Sequence, residues 1–173
     1  YYTMINRKLM RDYLGMQKPV WITEMGITDR GGPFGAAPDE YCDYILQSYA
    51  WGSLAGVQKY FHFQLDNSNG HGLYAAMLGK PKPALTTYRD VLVKLFADAR
   101  LVKQLHGNAG VGFLDGNSPY KGTWRKGYNL FKFRDNDGRP LIYMAFTDSK
   151  NAPDIAIPAQ TKVATVIDRH NNR

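Results

Sequence analysis

The sequence predicts an α/β fold with parallel strands in its first half and a small antiparallel β-sandwich in its second. Two observations carry this. Up to about residue 97, helix, strand, helix, strand and helix follow one another, an order that lays parallel strands side by side. Beyond residue 98, short alternating runs separated by Gly, Asn and Asp take over, as in antiparallel sheets. The expected units are therefore 1–97 and 98–173.

Residues 1 to about 16 read as a helix, because Ile5, Leu9, Tyr13 and Met16 recur on one face and Gly15 and Pro19 end it. A strand follows at 19–24. Residues 25–38 form a long Gly- and Pro-rich loop, and loops of that length often carry function. A second helix, from about Asp39 to Ala55, has Asp39, Glu40 and Asp43 in its first turns, where negative charge suits the helix dipole. Its stripe of Cys42, Ile45, Leu46, Tyr49 and Ala50 is a core face, which makes Cys42 a packing residue. A second strand, about Gln58 to Leu65, runs into the polar stretch Asp66 to Gly72. A third helix spans about Ala84 to Ala97. In the tail, strands are expected at 101–106, 110–114, 128–134, 140–147, 153–157 and 162–168, with Asp137-Gly138 as a hairpin turn.

Composition narrows the function. The chain has 173 residues, 44% of them hydrophobic, with 12 Tyr, 8 Phe and 3 Trp, which is globular rather than disordered. Its net charge of +7 is spread along the chain, so it describes a solvated surface rather than a nucleic-acid footprint. One cysteine excludes an intrachain disulfide. No apolar run reaches the roughly 20 residues of a membrane span. Gly31-Gly32-Pro33-Phe34-Gly35 lacks the Gly-Lys-Ser/Thr ending of a phosphate loop, and no nucleophile elbow is present. His62, Asp66 and His71 match no compact zinc spacing, so no metal or other cofactor is expected.

The stretch that organises the chain is Lys18-Pro19-Val20-Trp21-Ile22-Thr23-Glu24-Met25-Gly26. Apolar and β-branched residues on both faces suit a covered parallel strand. A carboxylate, Glu24, stands at its C-terminal end, and Gly26 is expected to let the chain turn sharply as it leaves. A strand-end carboxylate alone is commonly a solvated residue. Its setting is what singles it out, because Pro19 to Gly26 is similar, in order and spacing, to the strand-seven motif of clan A glycoside hydrolases. The segment Tyr60-Phe61-His62-Phe63-Gln64-Leu65-Asp66-Asn67, then Gly72-Leu73-Tyr74, then Lys82-Pro83-Ala84, resembles strand eight and the opening of the last helix in the same clan.

The resemblance implies the last two strands of a (β/α)₈ TIM barrel followed by a β-sandwich accessory domain. It implies a retaining glycoside hydrolase acting on a carbohydrate, with Glu24 as nucleophile. Such an enzyme sets two carboxyl groups about 5–5.5 Å apart, one attacking the anomeric carbon and one protonating the leaving group. The second is implied to be a glutamate after an asparagine at the end of strand four. Only Glu24 and Glu40 exist here, and Glu40 is not preceded by Asn. The partner is thus expected in a missing N-terminal barrel half, and the chain reads as a C-terminal piece of a longer protein. Secretion is an expectation for an enzyme acting on polysaccharides.

Substrate contacts are expected from His62, Gln64, Asp66 and Asn67. The first three alternate, so they share one side of the strand, facing either the barrel lumen or the helix layer. His62 stands where the family resemblance places a tryptophan platform. Trp21 reads as core, while Asn69, His71, Arg30 and Phe34 read as turn or loop residues. The alternative function is a non-catalytic carbohydrate-binding remnant. It would use Tyr120, Trp124 and Tyr128, although these rings more readily cover an interface between packed units.

Overall fold

A computed structural model describes residues 2–29, 35–66, 70–75, 79–107, 128–135, 141–147, 154–157 and 164–173. The chain opens with α1 (Tyr2–Leu14), β1 (Val20–Met25), α2 (Pro38–Leu54) and β2 (Val57–His62). Two short strands follow, β3 (Tyr74–Ala75) and β4 (Lys80–Pro81). The helix α3 begins at Pro83–Thr86, runs through a π-helical stretch at Thr87–Val93, and ends at Lys94–Phe96. Then come β5 (Ala99–His106), β6 (Tyr128–Asp135) and β7 (Ile142–Thr147).

β1 and β2 pair in parallel, joined by a crossover that contains α2. Antiparallel neighbours can turn within two residues, whereas parallel ones need such a connection. The 17-residue α2 begins at Pro38, where a missing backbone donor costs nothing. Glu40 reaches back to accept the Ala37 backbone N–H at 2.8 Å, half of a capping box. Glu40 is therefore occupied in starting the helix.

Two core clusters lie behind the parallel pair. Tyr41, Cys42 and Ile45 of α2 meet Leu73 and Ala84. Cys42 is fully buried, and burial raises its thiol pKa, as befits a packing residue. The second cluster joins Ala50 of α2 and Phe96 of α3 to Phe131, Phe133 and Met144 of the tail. Phe133 stands edge-on to Phe96 at 5.1 Å between ring centres, and Trp51 edge-on to Phe131 at 5.2 Å. Burying each such ring contributes about 1.5–3 kcal/mol. The core thus continues across residue 98, where a boundary between units was expected. The tail sheet uses the helices as its second layer.

The described strands of the tail pack on helices rather than on a second sheet. The described tail forms one three-stranded antiparallel sheet in the order β5-β6-β7. Residues 154–157 and 164–168, expected as strand, carry no regular ladder. The expected strand at 110–114 and the Asp137-Gly138 turn lie outside the described residues, as do Tyr120 and Trp124.

Residues 168–172 do something else. Asp168 accepts the N–H groups of His170 (2.8 Å) and Asn172 (2.9 Å) and so closes a tight loop. The loop presents Arg169 to Asp43 of α2, His170 to Asp39 at 3.2 Å, and the Arg169 carbonyl to the Thr87 hydroxyl at 2.7 Å. A loop of this kind fastens α2 to α3 from outside.

On the other side the molecule is open. Among the described residues, β1 and β2 have no further strand neighbours. Trp21, read as core, is 51% exposed, and Lys59 lies over its ring at 4.3 Å. Phe61 is exposed on β2, as are Leu9, Tyr13 and Met16 on the expected apolar face of α1 and just beyond it. These apolar side chains remain exposed among the described residues.

Candidate active site

Pairing register decides where Glu24 stands. Ile22 pairs with Tyr60, yet Met25 rather than Glu24 pairs with His62. Thr23 and Glu24 together therefore oppose the single residue Phe61. A slip of this kind bends a strand and re-aims its side chains. Strict alternation would put Glu24 with Ile22 on the helix-covered side, whereas after the slip both Thr23 and Glu24 are exposed. Glu24 thus joins Trp21, Lys59 and Phe61 on the open face, at the C-terminal end of β1.

Gly26 follows, and its role differs from the expected turn. Its φ is not in the left-handed region. A Cβ built there would overlap the carbonyl oxygen of Phe63. The ladder continues at this point, with the Phe63 N–H donating to the Met25 carbonyl at 2.9 Å. Glycine is needed because the two strand ends approach so closely.

His62 turns the other way. Its Nε2 lies 3.0 Å from the Tyr41 hydroxyl, and its ring neighbours Tyr41 and Tyr88 from the two helices. Tyr41 Oη in turn donates to the His71 carbonyl. With its single proton so used, the phenol oxygen is able to accept from His62. Burial raises the Tyr41 pKa, and the nearby charge of Asp29 adds to this. The His62 ring therefore belongs to the helix layer, one of the two sides open to it by strand alternation. The alternation argument left both sides open, and the slip in β1 was not legible in it.

Of the other expected contacts, Gln64 is half-buried and Asp66 exposed. The backbone at Gln64 and Leu65 is stitched down, their carbonyls accepting N–H groups of Leu73 (3.0 Å) and Tyr74 (2.8 Å). Asn67 lies outside the described residues, as do Asn69, Arg30 and Phe34. Tyr128 is half-buried and stacked on His106, ring centres 4.0 Å apart. One of its faces is thus already covered.

A groove of about 790 Å³ runs between β2, α2, α3 and the start of β5, lined by Met25, Tyr60, His62, Tyr88 and Leu92 among others. Glu24 stands apart from the groove, exposed at the C-terminal end of β1. Among the described residues no three His, Cys, Asp or Glu side chains cluster as a metal site, and no helix is long and apolar enough to cross a membrane.

Burial holds the His62 imidazole pKa down at about 4, from an ordinary 6.5. The groups facing it are Tyr41, Tyr88 and His71. The unfolded chain then binds a proton below pH 6.5 that the folded chain refuses until about pH 4. Stability should fall as pH drops through that window, by at most about 1 kcal/mol per pH unit after solvent screening, and level off below it. His62→Gln keeps a donor toward Tyr41 and loses the titration. Urea denaturation at pH 4.5 to 7 should show a shallower decline for this variant, and parallel curves would refute the assignment.

Comparison with models of protein families, with curated proteins and with solved structures finds no match to this chain.

Proposed function

We propose that this chain carries the nucleophile of a retaining glycoside hydrolase of the clan A (β/α)₈ type, and that its first half is the C-terminal part of that barrel. The observation that carries the proposal is the placement of Glu24. It stands at the C-terminal end of a strand paired in parallel with the next, on the face that the helices do not cover. Parallel barrels put their chemistry at that end. The open β1–β2 pair and the exposed Trp21 and Phe61 support the rest of the reading. A parallel pair whose outer edges are unpaired among the described residues, with two aromatic rings exposed on its open face, is an arrangement that further strands of a barrel would complete.

In the first step a Glu24 carboxylate oxygen bonds to the anomeric carbon as the bond to the leaving oxygen breaks. That oxygen takes a proton from a second carboxyl group. In the second step water attacks the anomeric carbon, gives its proton to the same group, and frees Glu24. Glu40, engaged with the Ala37 N–H, is not available as that acid, so the acid is assigned to the remainder of the barrel. Gln64 and Asp66, at the exit of β2, are the remaining described candidates for contact with the sugar.

The test uses the polypeptide encoded by the complete reading frame, assayed on 4-nitrophenyl glycosides. Treatment with 2-deoxy-2-fluoro glycosyl fluorides of the sugars turned over should leave a stable glycosyl adduct. Peptide mass mapping should place it on Glu24. An adduct on another carboxylate, or no turnover of any glycoside, would overturn the proposal.

A further inference from the structure

The loops that leave β1 and β2 are tied together by one ammonium group. Lys82 precedes α3, and its side chain is 12% exposed. Its Nζ lies 2.6 Å from Oδ2 of Asp29, whose side chain is 22% exposed, and 3.4 Å from the Gly70 carbonyl. Asp29 stands on the loop after β1, five residues beyond Glu24, and Gly70 on the loop after β2. The two loops also meet directly, since the Asp29 N–H donates to the same Gly70 carbonyl at 3.1 Å. Lys82 is held from behind, its own N–H donating to the Leu73 carbonyl at 3.0 Å and its carbonyl accepting from Leu85 at 2.9 Å.

The result is a closed triangle of Lys82, Asp29 and Gly70. A half-exposed surface pair contributes little. This pair is mostly buried, so removing one partner leaves the other charge without its counter-ion in a poorly solvated place. We infer that Lys82 is a positioning residue for the strand end that carries Glu24. By holding Asp29 and Gly70 together it sets where β1 finishes relative to β2. It touches no reacting atom. Catalytic geometry tolerates little displacement, and an error of about 1 Å can cost 100-fold in rate. The inference rests on the Glu24 assignment for what is positioned, though the clamp itself does not.

The experiment has two arms, both on the complete protein. Hydrogen exchange is followed by mass spectrometry in peptides covering residues 26–29 and, as reference, residues 128–135. Turnover of 4-nitrophenyl glycosides is followed in parallel. Lys82→Met should speed exchange in the first peptide about tenfold and leave β6 unchanged. It should lower kcat about tenfold or more with KM changed less than twofold. Asp29→Asn should do the same, and the double variant should lose no more than either single one, because all three break one triangle. Lys82→Arg, which keeps a cation facing Asp29, should recover part of both effects. Unchanged exchange at 26–29, equal acceleration in β6, or an unchanged kcat beside faster exchange would each overturn the inference. Glu24→Gln should leave exchange at 26–29 as in the wild type. Failure of the nucleophile assignment would therefore show in that variant's turnover, and failure of the clamp in the exchange arm.

Discussion

Glu24→Gln should abolish turnover by the complete protein while leaving its melting temperature within about 2 °C. The amide is nearly isosteric with the carboxylate, and Glu24 is exposed, so folding loses neither packing nor a buried partner. On the proposed mechanism, chemistry loses the anionic oxygen that bonds to the anomeric carbon. Loss of a covalent nucleophile should cost about four orders of magnitude or more in kcat, equivalent to about 5.4 kcal/mol of transition-state stabilisation. KM should move far less, since the interaction removed is made during reaction rather than on binding. Nitrophenolate release measured beside a thermal melt reads both quantities. A variant that keeps more than about one tenth of wild-type kcat would end the assignment.

Gly26→Ala should damage both stability and activity. The added Cβ would overlap the Phe63 carbonyl oxygen, a backbone atom that cannot swing aside. The neighbouring Phe63 N–H to Met25 carbonyl bond, 2.9 Å long, must then stretch or break. Overpacking of this kind costs about 1–3 kcal/mol. Activity should fall further than stability alone explains, because the shift occurs two residues from Glu24. Gly79→Ala makes a useful comparison. Gly79 has φ of +61° but open space around it, so alanine there meets backbone strain and no overlap. That variant should lose about 1–2 kcal/mol with normal turnover. Urea unfolding and kcat for the pair separate close approach from conformational strain, and a Gly26→Ala protein as active as wild type would refute the contact argument.

Much of the local structure was legible in the residues. The helices at Tyr2–Leu14 and Pro38–Leu54, and the strands at Val20–Met25, Ala99–His106 and Tyr128–Asp135, fall close to where periodicity and Gly or Pro breaks put them. These signals act over a few residues, so a single chain displays them. The tail misled at 154–157 and 164–168, where apolar residues at strand spacing form no ladder. Propensity for strand is expressed only where a neighbouring strand supplies partners.

The candidate site divides in the same way. Glu24, Gly26 and the polar residues after β2 were visible as a motif, and the resemblance of that motif to a glycoside hydrolase clan is what implied a chemistry. The facing of His62 was not visible, because alternation holds only while register holds, and β1 slips between Ile22 and Met25. The Tyr41 contact with His62 spans 21 residues, and the Arg169 contact with Asp43 spans 126. Lys82 was noticed only as the opening of a helix. The sequence by itself determined the main helices and the strands β1, β2, β5, β6 and β7, and that a carboxylate lies near the end of β1, because backbone preference and hydrophobic period are local properties. Only the tertiary structure decided that Glu24 faces away from the helices, that Gly26 answers to Phe63, and that Lys82 joins two loops. Each depends on which distant groups pairing and packing bring within a few ångströms.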